Sequence, residues 1–155
     1  MSADGGVWDI LVDGASRGNP GRAAAGVRIT DPEGTVLFEE GRPLGTTTNN
    51  QAEYQALLIG LREAALLEAR RIRVRTDSQL LVRQLLGEYR VRNPALRDLH
   101  AEAMRLAGGF ASFEIAWVGR EEVRPVDALA RAVLRRTAPR PGTTGRVQPP
   151  SDTGG

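Results

Sequence analysis

The sequence contains no cysteine and no lysine. Without cysteine there is no disulfide framework and no thiolate metal site. Without lysine, all 21 basic residues are arginine, so the pI of 9.9 stands higher than a formal net charge of +2 suggests. A net charge that small makes no general electrostatic case for nucleic acid. Genomic codon bias accounts for the uniform arginine, although arginine suits bidentate phosphate contacts wherever a basic face forms. No stretch approaches the roughly 20 apolar residues of a membrane helix, and nothing near Met1 resembles an apolar signal segment. A soluble, cytoplasmic protein with no membrane partner is therefore expected. The glycines carry no GxxxxGK[ST] phosphate loop. What remains is an ordinary globular composition, 41% hydrophobic over 155 residues, enough for one domain with a proper core.

Along the chain, hydrophobic periodicity marks a series of elements. Residues 1–6 read as a flexible N-terminus. Strands are expected over Val7–Asp13, Ala24–Thr30 and Thr35–Glu40, with Asp31–Gly34 as a tight turn, so that the three form an antiparallel meander. Near Thr46 the period changes to that of a long helix, whose start carries a capping-box signature in Thr48 and Gln51. Arg71–Thr76 alternates arginine with Ile72, Val74 and Thr76 and reads as a fourth strand. A helix begins at Ser78, and Gly87 with Asn93-Pro94 separates it from another over Pro94–Ala107. Ser112–Val118 is a fifth strand, and a last helix runs from about Pro125 to Arg136, with proline in its first turn. The Pro/Gly/Thr-rich residues 137–155 read as a disordered tail. Strand, strand, strand, helix, strand, helix, helix, strand, helix is the pattern of a mixed α/β sheet flanked by helices.

Four acids stand at element boundaries. Asp13 and Asp77 end the first and fourth strands; if those strands are neighbours, both carboxylates emerge at one edge of the sheet, where open α/β sheets bind ligands. Glu53 and Asp127 are placed in the first turns of the long and last helices, where an acid also serves simply to complement the helix dipole. A cluster of hard oxygens without histidine or cysteine suits Mg²⁺ or Mn²⁺, and such a cluster relieves its own repulsion by binding them. Two ions sharing a carboxylate can activate a water and steady the leaving oxygen of a phosphodiester.

Four segments, DGASRGNPG from Asp13, TTNNQAEYQALLIGL from Thr47, VRTDSQLLVRQLLGEYRVRNP from Val74 and REEVRPVDALAR from Arg120, resemble the type 1 ribonuclease H family, in order and over most of Val7–Arg136. The resemblance implies the ribonuclease H-like fold, a five-stranded mixed sheet of order 3-2-1-4-5. It implies metal-dependent endonucleolytic cleavage of the RNA strand of RNA–DNA hybrids, with two Mg²⁺ or Mn²⁺ ions, leaving 3′-hydroxyl and 5′-phosphate ends. Asp13, Glu53, Asp77 and Asp127 match the catalytic, metal-binding quartet; Asp13 would bridge both ions, Glu53 and Asp77 complete one site, and Asp127 help hold the other. Gly14, Ser16, Asn19, Asn49, Asn50 and Gln79 match positions that contact the hybrid, through backbone approach to the minor groove or amides that bond base edges and sugar hydroxyls. Alternatively, Asn49 and Asn50 only help begin the helix and Gln79 is solvated. Nothing calls for an obligate protein partner, and a monomer is expected. The other readings are a relaxed nuclease that also cuts duplex RNA or RNA–DNA junctions, and a non-catalytic nucleic-acid-binding module of the same fold; loss of one acid would favour the latter, and none is lost.

The chain also departs from that family. The link from Gly87 to Pro94 is too short for the basic protrusion of some members. The loop before Asp127 has no histidine; the sole histidine, His100, lies mid-helix and reads as structural. Arg131 stands where the shorter branch commonly has asparagine. Arg71, Arg73 and Arg75 share one side, most simply a solvated sheet face, and Arg90 and Arg92 form a small candidate basic patch.

Overall fold

The computed structural model describes residues 5–137. The flexible end expected over residues 1–6 and the disordered tail expected from 137 lie outside that range, apart from Gly5, Gly6 and Thr137. Five strands, β1 (Trp8–Ser16), β2 (Gly21–Thr30), β3 (Val36–Thr47), β4 (Arg71–Thr76) and β5 (Ser112–Trp117), form one sheet of order β3-β2-β1-β4-β5. The β1–β2 and β2–β3 pairs are antiparallel, whereas β1–β4 and β4–β5 are parallel. This is the order the resemblance implied. Helices α1 (Asn49–Leu66), α2 (Gln79–Leu85) and α3 (Pro94–Ala107) belong to one side, and α4 (Arg120–Thr137) crosses β1, β2 and β3 on the other.

Alternation along β1 explains both layers. Ile10 and Val12 enter the main core with Leu57, Leu61, Ile72 and Val74, while Leu11 packs with Val123 and Val126 of α4. The helix starts follow their sequence signals. Thr48 caps α1 in a complete capping box with Gln51, Ser78 caps α2, and Asn93 caps α3 ahead of Pro94. His100 is structural, as expected: its Nε2 lies 3.2 Å from the Gln84 carbonyl and its ring meets Tyr54 edge-on.

Several boundaries differ from the sequence pattern. The first hairpin is longer than expected, with β1 reaching Ser16 and β2 beginning at Gly21; Asp13 is therefore inside a strand, opposite Gly26. β3 continues beyond Glu40 to Thr47 through Gly41, Pro43 and Gly45. β3 is an edge strand, where a proline removes no needed ladder bond. α4 begins at Arg120, so Pro125 is inside the helix and not in its first turn. The extra turn is held by Val123, which is buried against Leu11.

Glycines set how closely the helices approach. A methyl built on Gly26 would lie 1.9 Å from the Val126 carbonyl oxygen, and one on Gly41 2.4 Å from that of Leu129. On the other face, one on Gly14 would lie 2.5 Å from the Ala52 carbonyl oxygen. The backbones of α4 and α1 thus rest on the sheet where side chains are missing, and two of these three contacts, at Val126 and Ala52, immediately precede an acid.

Candidate active site

The parallel register of β1 and β4 pairs Leu11 with Arg75. Two residues further along each strand come Asp13 and Asp77, so the two carboxylates meet at the same end of the sheet. Glu53 follows Ala52, the residue that rests on Gly14; its Oε1 accepts the Gly14 N–H at 3.1 Å. Asp127 follows Val126, which rests on Gly26, the cross-strand neighbour of Asp13. All four acids line one cleft of about 290 Å³, together with Gly14, Ser16, Asn49 and Asn50. Each of Asp13, Glu53 and Asp77 offers an oxygen within 4.8 Å of the others. Asp127 stands beside this trio and shares a side-chain hydrogen bond with Asp13.

Neither helix acid is where a dipole partner would be. Glu53 is the fifth residue of α1 and Asp127 the eighth of α4, both beyond the first turn that the expectation assigned them, and the dipole effect fades beyond that turn. Their common feature is convergence on Asp13, which is only 4% exposed.

Electrostatics at the cleft are those of crowded, poorly hydrated acids. Burial pushes the Asp13 carboxyl up to about 10, reinforced by the charge of Glu53 and by contact with Asp127 and Asp77. Burial, then the charge of Asp77, pushes Glu53 up to about 8, against the opposing hydrogen bond from Gly14. Asp127 is also partly buried, but hydrogen bonds with Asp13 and Arg131 prevail and hold it below the usual carboxylate range. At neutral pH the cluster therefore retains protons unless cations replace them. The oxygen-only donor set and its spacing fit hard divalent ions such as Mg²⁺ or Mn²⁺.

The residues matched to substrate contacts fall into three groups. Ser16 and Asn49 face the cleft in a small network: the Ser16 hydroxyl has the Gly18 carbonyl at 2.5 Å and Asn49 Oδ1 at 2.8 Å in donor range, and Asn19 Oδ1 accepts the Asn49 N–H at 3.0 Å. Asn19 is thus one bond behind the cleft wall. Asn50 is exposed at the cleft, and Gly14 lines it with its own N–H engaged by Glu53. Gln79 begins α2, next to the cleft residue Ser78 but outside the lining.

Two arginines enter the cleft as well. Arg120 Nη1 lies 3.6 Å from Asp77 Oδ2, and Arg131 Nε lies 2.9 Å from Asp127 Oδ2. The second pairing was available in the sequence as an Asp-Arg spacing of four on a helix. Among the three arginines of β4, Arg75 is no free surface charge: it clasps Asp9 at 2.8 Å through two nitrogens and reaches Glu122 of α4 at 3.1 Å.

Comparison with known proteins gives a consistent result. A family model described as reverse transcriptase-like matches residues 11–133. A curated protein named ribonuclease HI from Halobacterium salinarum is 42% identical over 130 residues, 84% of this chain and 65% of the relative, so this chain spans about two thirds of that protein's length. A crystal structure of RNase H1 from the same archaeon superposes with a TM-score of 0.82 at 40% identity, covering 84% of this chain and 99% of the other. An LC11 ribonuclease H1 solved in complex with an RNA/DNA hybrid superposes with a TM-score of 0.79 at 34% identity, over 83% and 97% of the two chains.

Proposed function

This chain belongs to the type 1 ribonuclease H family, in a form without the basic protrusion, and on that premise we propose that it is an endonuclease that hydrolyses the RNA strand of RNA–DNA hybrids. The observation that carries the proposal is the convergence of three carboxylate oxygens within 4.8 Å, with a fourth acid alongside, at the end of two parallel strands.

Asp13 in β1, Asp77 just past the end of β4 and Glu53 on α1 would hold one ion, and Asp13 and Asp127 would help hold a second. Two bound Mg²⁺ or Mn²⁺ ions would supply an activated water and charge stabilisation at the leaving oxygen. Water oxygen joins phosphorus as the bond to the 3′ oxygen breaks, so that the products are a 3′-hydroxyl and a 5′-phosphate. Asp13, nearly buried and paired with Gly26 of β2, two residues past the end of the β1–β4 pairing at Leu11, would anchor the bound ions to the core.

Substrate choice falls to the rim. Asn49, Asn50 and Gln79 present amides, Ser16 and Asn19 brace the loop before β2, and Gly14 lets α1 close on β1. These contacts select the 2′-hydroxyls and groove shape of a hybrid with little reading of base sequence.

The test is cleavage of end-labelled RNA–DNA hybrid, duplex RNA and duplex DNA with Mg²⁺, Mn²⁺ or chelator, alongside Asp13→Asn. The expected result is cutting of the hybrid's RNA strand alone, lost with chelator or with the substitution. Asp13→Asn retaining full metal-dependent activity would refute the assignment.

A further inference from the structure

Helix α4 is built in two parts. From Val126 onward its backbone rests on the sheet, at Gly26 through Val126 and at Gly41 through Leu129. The turn before it, residues 120–124, is set off by Pro125, which has no N–H for the Glu121 carbonyl and crowds it with its ring. Two anchors hold that turn to the sheet. Val123 is buried against Leu11, and Glu122 Oε1 accepts from Arg75 Nη1 at 3.1 Å. Arg75 is in β4, outside the three strands that α4 crosses. Its guanidinium is already aimed, because Nε and Nη2 each hold a different oxygen of Asp9 in β1 at 2.8 Å. The same turn carries Arg120, which lines the cleft 3.6 Å from Asp77 with a side chain 76% exposed. Asp127 stands on the other side of Pro125, so the clasp bears on the rim of the cleft and not on its carboxylates.

We propose that Asp9, Arg75 and Glu122 form a positioning clasp that sets substrate affinity: it holds the first turn of α4 in place so that Arg120 meets a phosphate of the incoming hybrid. This rests on the hybrid-cleaving reading above. A phosphodiester nearing four carboxylates is repelled, and a cation fixed at the rim offsets that repulsion. On a frayed turn the same cation must first be ordered, at a cost in conformational entropy. The contact between Arg120 and Asp77 is loose enough to be exchanged for a phosphate. Glu122 gives the clasp a distinctive sign. It is an acid beside the path of a polyanion, so by charge alone its removal strengthens binding. As one arm of the clasp, its removal weakens binding.

The experiment measures RNA–DNA hybrid affinity by fluorescence anisotropy with Mg²⁺, in an Asp13→Asn parent so that cutting does not intervene, together with amide hydrogen exchange of the same proteins. Glu122→Ala should weaken binding by about three- to fivefold and speed exchange in residues 120–124 while leaving Val126–Leu134 unchanged. Glu121→Ala removes an equal charge from the same turn, but its partner Arg124 is in that turn as well, so binding should hold or tighten. Arg75→Lys keeps the charge without the fork that grips Asp9 and Glu122 together, and should weaken binding as Glu122→Ala does. With Arg120→Ala already present, Glu122→Ala should weaken binding no further. Tighter or unchanged binding by Glu122→Ala, or a loss that persists without Arg120, overturns the proposal and leaves the hybrid-cleaving reading standing. No hybrid bound by the parent overturns both.

Discussion

Replacing Glu53 by glutamine should stabilise the metal-free protein while destroying its ion site. Glu53 ordinarily titrates at 4.5 but is pushed up to about 8 in the folded chain, first by burial and then by Asp77. The folded state therefore holds a proton that the unfolded state releases above pH 4.5. Rising pH favours unfolding throughout that window: the stability tied to this group is complete below pH 4.5 and is lost progressively up to about pH 8. At about 1.4 kcal/mol per pH unit, the loss by pH 7 is roughly 3 kcal/mol. Asp13 acts in the same direction, but part of its shift is the same repulsion seen from the other carboxyl, so the two do not add. The glutamine keeps an oxygen for the Gly14 N–H and has no charge to desolvate. In urea unfolding with chelator, the variant should be about 2–3 kcal/mol more stable than wild type at pH 7 and near parity at pH 4.5. Added Mg²⁺ should then stabilise the wild type and do much less for the variant. Parallel pH curves for the two proteins, or a variant less stable than wild type at pH 8, would refute the electrostatic account.

Other substitutions test the supports of the site. Gly26→Ala places a methyl against the Val126 carbonyl oxygen and must displace α4; stability should fall by about 3 kcal/mol or more, and Mg²⁺ should raise the melting temperature less than in the wild type, read by thermal melts. Tyr54→Phe removes the buried hydroxyl that donates to Gln84 Oε1 at 2.6 Å and should cost about 1–2 kcal/mol in urea unfolding, with hybrid cleavage unchanged. Thr48→Ala removes one half of the capping box of α1 and should cost about 1 kcal/mol by the same measurement.

Much of this architecture was legible because the local signals agreed with the tertiary answer. The capping box at Thr48, the Asn93-Pro94 break ahead of α3 and the alternation in β4 each pointed to the element that forms. The four acids were legible as residue types, and the resemblance ordered them. Their exact positions within elements were not, because long-range packing decides them. The third strand reads as ending at Glu40 until the Leu129 backbone is seen resting on Gly41, and Pro125 looks like a helix start until Val123, two residues earlier, is seen buried in the same helix. Arg75 likewise reads as a surface charge in its strand, since neither Asp9 nor Glu122 is near it in sequence.

The acids' positions within their elements also bear on timescale. Asp13 is inside a strand and Glu53 and Asp127 are inside helices; Asp77 alone stands at a junction, between β4 and the cap of α2. Little conformational entropy then remains to be lost when ligands arrive, and no loop must fold over to complete the carboxylate set. Slow opening of the amides around Asp13, Glu53 and Asp127 is tied to unfolding of the sheet core, and Asp77 is held beside a capped helix start, with the Ser78 N–H on Thr76 Oγ1 and Ser78 Oγ on the Leu81 N–H. The carboxylate cleft is therefore formed before any ligand arrives.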